Sequence, residues 1–321
     1  MQKIAYFAPL GRAFRRMQKI LFAPFSFTKW LVLGFTAWLA NLCEGGGVGS
    51  FGNADWDKVA DNLPHLKHDL TPEVITVVII VAAVVLVAAV AVVLVVTWIN
   101  SRGKFIFLDN VVHDKAEIKA PWRRFKVQGN SLFLWRIVFG LIVFLVVAAI
   151  VAVLALSIVP YIRSRDMFLV MIIGGSVSML LMIAAVIALA YVNIFLKDFV
   201  VPVMYKYNLK TNEAWRMLLP LIQANAGKFI LYGLFLILVV LGVIIVILTV
   251  VVLTCCIAGC LILIPYVGSV VLLPISVLMR ALGPEFLRQF SPDFDVFPPE
   301  GVPQAPAAAM PSYRLATPPM E

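Results

Sequence analysis

Charged side chains are missing altogether from five long stretches of this chain: 74–99, 137–162, 167–196, 229–256 and 257–279. That absence excludes an ordinary soluble domain, whose surface needs them. Charge makes up only 13% of the 321 residues, while 62% are hydrophobic. Histidine occurs three times and cysteine four. So few leave little material for a catalytic dyad or a closed zinc framework. No catalytic residue, cofactor or metal centre is expected. The interiors of the apolar stretches hold no ionisable group, which argues against a proton- or sodium-coupled transporter and against an intramembrane protease.

What fills these stretches is Val, Ile, Leu, Ala, Phe and Met, in runs at least as long as the ~20 residues that cross a ~30 Å hydrocarbon core. In lipid the backbone must satisfy its own hydrogen bonds, so such runs are helices. A sixth, weaker span at 25–43 has Lys29 near its start, where a lysine snorkels to the interface. The expected fold class is all-α, a polytopic membrane protein with six transmembrane helices arranged as three hairpin repeats, with interfacial amphipathic helices. The expected organisation is a basic cytoplasmic arm at 1–24, a membrane domain at 25–290 and a disordered proline-rich cytoplasmic tail at 291–321. The spans are placed at about 25–43, 74–99, 132–161, 167–196, 229–253 and 257–280.

Basic residues alternate in blocks between the spans. With six spans and both ends inside, 22 of the 26 Lys and Arg fall on the cytoplasmic side. Positive residues in short loops set orientation, so both termini are expected to be cytoplasmic, in what reads as a bacterial inner membrane. The net charge of +9 is thus a membrane signature. Anionic lipid is its expected counterpart, and no nucleic-acid motif accompanies it.

The cytoplasmic segments share a weak order. Ala13-Phe14-Arg15-Arg16, Ala120-Pro121-Trp122-Arg123-Arg124 and Ala214-Trp215-Arg216 each precede an apolar hairpin. The exits match too: Phe107-Leu108-Asp109-Asn110-Val111-Val112 resembles Phe195-Leu196-Lys197-Asp198-Phe199-Val200-Val201. Arg280-Ala281-Leu282-Gly283 is similar to Ser101-Arg102-Gly103. Interface composition alone gathers aromatic and basic residues, but the repeated order favours a triplication, in which Trp122 and Trp215 would occupy equivalent positions. A cytoplasmic polar cluster of Arg102, Asp109, Trp122, Arg123, Arg124, Asp198, Trp215 and Arg216 follows, as structural glue or as a lipid-headgroup site. These alternating hairpins and aromatic-Arg segments resemble an uncharacterised family of bacterial polytopic membrane proteins. The pattern is also similar to the membrane domain fused to some glycerophosphodiester phosphodiesterases. The resemblance implies no activity for this chain, which lacks the paired acids and histidines of that catalytic domain.

The remaining candidates are weaker. His65 and His68 have a ligand-like spacing in an acidic loop, but Pro64 adjoins them and no Glu lies between. Cys43, Cys255, Cys256 and Cys260 gather at one end of the spans, where either a disulfide or plain apolar packing accounts for them. Surface chemistry through Asp109, Asp198 or His113 has no evident nucleophile. The reading that remains is a non-catalytic membrane scaffold or accessory subunit. It contacts membrane lipids and has a protein partner in the membrane or the cytoplasm. The alternative is a transporter or flippase-like conduit built around Ser176, Ser178 and Asn193.

Overall fold

The computed structural model describes residues 4–42, 72–163, 168–254, 257–264 and 266–297. Cys43, His65, His68, Cys255, Cys256 and the tail from 298 lie outside the described residues. Within them every regular element is helical. The chain opens with α1 (Phe7–Phe22) and α2 (Phe27–Asn41). Next come α3 (Pro72–His113), α4 (Lys119–Arg124) and α5 (Lys126–Arg163). Helix α6 (Phe168–Phe195) runs through a π-helical turn, Leu196–Val200, into α7 (Val201–Tyr207). Then α8 (Thr211–Ala224) and α9 (Ala226–Leu253) lead to α10 (Ile257–Leu263), α11 (Val267–Val271) and α12 (Leu273–Leu287).

Four stretches are long and apolar enough to cross a membrane: Thr76–His113, Lys126–Val159, Met171–Tyr207 and Ala226–Leu253. Two of the six expected spans fall short of that description. Helix α2 has 15 residues, about 22 Å at 1.5 Å per residue, less than a hydrocarbon core is thick. The segment from 257 to 287 is broken into three helices. A Cβ on Gly268 would lie 2.2 Å from the Ile262 carbonyl oxygen, so the chain folds back there too closely for any side chain.

Contacts divide the chain into two compact units. Among the described residues, the first unit draws on the stretches 4–19, 131–249 and 277–297, the second on 20–130 and 250–276. In the second, α2 packs along α3 on one flank and meets α11 on another, where Tyr266 donates to the Leu31 carbonyl at 3.0 Å. In the first, the core is aromatic. Phe199 lies 5.2 Å from Phe229 and 5.1 Å from Tyr232, and Tyr232 lies 4.4 Å from Phe286.

Helix α3 has two halves of opposite character. From Val77 to Val95 its large side chains are exposed and apolar, which suits acyl chains as solvent. From Asn100 to Val112 every residue is buried. The expected basic arm is largely α1, whose Ala13, Met17, Ile20 and Leu21 are buried while Phe14, Arg15 and Lys19 face out. The expected tail also begins packed: Val296 and Phe297 are buried, after a 3₁₀ turn at Pro292–Phe294 that Ser291 caps.

Candidate functional site

The charged cluster expected at the inner surface divides into a buried part and an exposed part. Arg102, Asp109 and Asp198 are buried, whereas Arg123, Arg124 and Arg216 are exposed and Trp122 and Trp215 half-buried.

In the second unit the buried half of α3 organises the surroundings. Asn100 donates through Nδ2 to the carbonyls of Leu39 at 3.2 Å and Ala40 at 2.7 Å. These are last-turn carbonyls of α2, which have no partner within their own helix. Gly103 permits this approach, since a Cβ there would lie 2.7 Å from the Leu39 carbonyl carbon. One turn away, the Arg102 guanidinium sits 4.2 Å above the Trp98 ring and 5.3 Å from that of Trp122. It donates to Asn130 Oδ1 at 2.9 Å, which also accepts from Trp98 Nε1 at 3.1 Å. Arg102 and Trp122 therefore do meet, with Trp98 and Asn130 as unforeseen partners. Asp109 faces His113 Nδ1 at 3.3 Å on the same helix. Asn110 exchanges hydrogen bonds with the backbone of Glu117 and closes the turn after α3. The helix ends at Asp114, whose φ of 54° is one an Asp side chain tolerates.

In the first unit Asp198 lies on the π-turn and accepts from the Tyr232 hydroxyl at 2.9 Å. A π-turn holds one residue more than the α-ladder can pair. The Lys197 carbonyl there accepts from Arg280 at 3.1 Å. Gly283 lies against the same turn, where a Cβ would come 2.4 Å from the Asp198 carbonyl oxygen.

A buried ion pair centres on Glu285, which the sequence reading left out. Its side chain is 1% exposed. Arg12 Nε donates to one oxygen at 2.7 Å and Arg16 to the other at 3.0 Å. Arg12 also reaches the Glu285 carbonyl at 3.2 Å, and Arg16 stacks 3.6 Å over the Phe297 ring. The two arginines are four residues apart on α1 and so share a face. A signal existed: Glu285 follows Arg280 by five residues, as Asp109 follows Lys104.

The two tryptophans keep different company. Trp122 lies edge-on to Trp98 at 5.9 Å, whereas Trp215 stacks on Trp135 at 5.9 Å and 23°. Trp215 and Trp135 line an open cleft of about 410 Å³ together with Phe139, Val192, Asn212 and Arg216. Of the four cysteines only Cys260 is described, as an exposed free thiol.

Four long apolar helices with exposed apolar side chains are the marks of an integral membrane protein of the α-helical class. The chain belongs to a family of unknown function (DUF7544), whose model matches residues 6–287. No curated protein and no solved structure matches it. The family match carries no link to glycerophosphodiester phosphodiesterase fusions.

Proposed function

We propose that the protein is a non-catalytic membrane scaffold or accessory subunit whose cationic face contacts phospholipid headgroups. The observation that carries this reading is the division of charge. Glu285 is paired with two arginines, Asp198 with Tyr232, and Arg102 is enclosed by two tryptophans and Asn130. Arg123, Arg124 and Arg216 are exposed and have no carboxylate partner among the described residues. Buried charge acts as internal glue and leaves exposed charge for an external anion, such as the headgroups of a bacterial inner membrane. The six-span, three-hairpin arrangement with both ends cytoplasmic belongs to the same reading. It is supported by three buried acids, Asp109, Asp198 and Glu285, each in the exit of a hairpin.

The test is reconstitution into liposomes, with anionic-lipid binding compared between the wild type and an Arg123→Ala, Arg124→Ala double variant. The double variant should keep its helicity and bind anionic lipid more weakly. Equal binding would remove these arginines from the headgroup face. Flux of a solute or lipid catalysed by the wild type would replace the scaffold with the conduit.

A further inference from the structure

The cleft on α8 has the chemistry of a site for one particular ligand class. Its polar end is built by Asn212 and Arg216, four residues apart and therefore on one face of α8. Both are exposed, and neither has a hydrogen-bond or ionic partner among the described residues. Trp215, between them, carries an indole Nε1–H that is shielded from water and also lacks an acceptor among the described residues. A shielded donor without an acceptor is costly, and rotation of the indole toward the cleft would present it to an acceptor there. Two exposed donors and no carboxylate line this end, with the shielded indole N–H beside them, which selects an anion with several oxygens.

The other end is apolar. Trp135 stacks on Phe139 at 4.9 Å, and Val192 closes the wall from α6. The same face of α5 continues through Val138, Ile142 and Val146, whose side chains are exposed. The volume of about 410 Å³ lies within the range of small-ligand sites. A ligand that fits both ends is anionic at its head and hydrocarbon beyond it.

We infer that this cleft binds the phosphate of a single anionic glycerophospholipid. Asn212, Trp215 and Arg216 hold the phosphate, and an acyl chain lies along Trp135, Phe139 and Val192. The inference rests on the headgroup reading above and names its site.

The experiment uses the full-length protein in nanodiscs of phosphatidylcholine with a minor fraction of phosphatidylglycerol, read by native mass spectrometry of retained lipid and by titration with spin-labelled phosphatidylglycerol. The wild type should retain phosphatidylglycerol. Arg216→Gln should weaken that binding about tenfold, the usual consequence of losing a charge-assisted hydrogen bond. Trp215→Phe, which keeps the ring and deletes the N–H, should weaken it less. Lys19→Gln, on α1, should leave it unchanged. Unaltered binding by a helical Arg216→Gln variant would overturn the site, and with loss in the Arg123, Arg124 variant would leave the broader reading standing. No preference for phosphatidylglycerol in the wild type would overturn both. Displacement of the lipid by inorganic phosphate would show that the acyl wall contributes nothing and overturn the lipid assignment.

Discussion

Glu285 illustrates how a single side chain can bind a chain's beginning to its end. Its carboxylate is 1% exposed, while Arg12 and Arg16 are 31% and 19% exposed at the side chain. Removing one partner of a buried pair costs about 3–5 kcal/mol, because the other is left uncompensated. Here the two arginines can turn partly to water, so Glu285→Ala should cost about 2–3 kcal/mol. Arg12→Ala should cost less, since Arg16 stays on the carboxylate. Unfolding in detergent, run as a double-mutant cycle of the two sites, measures both losses and their coupling. Additive losses would show that the pair contributes no joint stability. Glycines act at the same scale by opposite means. Gly103 and Gly283 offer no side chain, yet each lets a backbone approach that a methyl group would block.

Elements were legible in proportion to how much lipid they meet. Runs of Val, Ile and Leu in 74–99, 137–162, 167–196 and 229–253 became the four long helices, because nothing but a helix satisfies a backbone in hydrocarbon. The extension of α3 to His113 was not legible, since Arg102, Lys104 and Asp109 read as a surface when taken as a string. Burial of Arg102 depends on Asn130 and Trp122, which no local pattern announces. Arg123, Arg124 and Arg216 are exposed among the described residues. The π-turn after α6 also has a sequence counterpart, although it takes two strings to see it. Phe107-Leu108-Asp109 corresponds to Phe195-Leu196-Lys197-Asp198, so Lys197 is the surplus residue. The π-turn absorbs that surplus and keeps Asp198 facing Tyr232. Deleting Lys197 should therefore convert the turn to regular α-helix and leave a folded, helical protein. Deleting Leu108 from α3, which has no such turn, should rotate the helix beyond it by about 100° and abolish folding. Thermal unfolding followed by circular dichroism separates the two. Equal damage from both deletions would count against Lys197 as an insertion.

At the scale of the whole molecule the number of crossings sets the topology. Four helices qualify by length and composition, and α2 is too short to join them unaided. Its 15 residues pack along α3 rather than standing free in lipid. If α2 nevertheless crosses with its flanking residues, the thiol of Cys43 should label from the side opposite the N-terminus. If it dips and returns, both should report the same side. Membrane-impermeant thiol labelling of Cys43, in a chain whose other cysteines are replaced by alanine, decides this beside a reporter at Met1. The six-crossing arrangement predicts opposite sides. A reporter after residue 297 should match the one at Met1, and a mismatch would remove a span and the three-hairpin scheme with it.

The two-faced length of α3 has a consequence for how the chain is made. Insertion reads apolar residues as they emerge, so the first half of α3 commits to the bilayer on its own account. Its second half cannot be finished then, because Trp122 and Asn130, which enclose Arg102, have not yet been synthesised. For that interval an arginine, a lysine and an aspartate wait in water at the membrane edge, on a helix already anchored. The guanidinium keeps that edge out of the hydrocarbon until its tryptophan cage is made, and then moves under cover. Polar residues that later serve as core thus first serve as a stop, and a chain interrupted before Trp122 would display an unfinished helix to any quality-control protease.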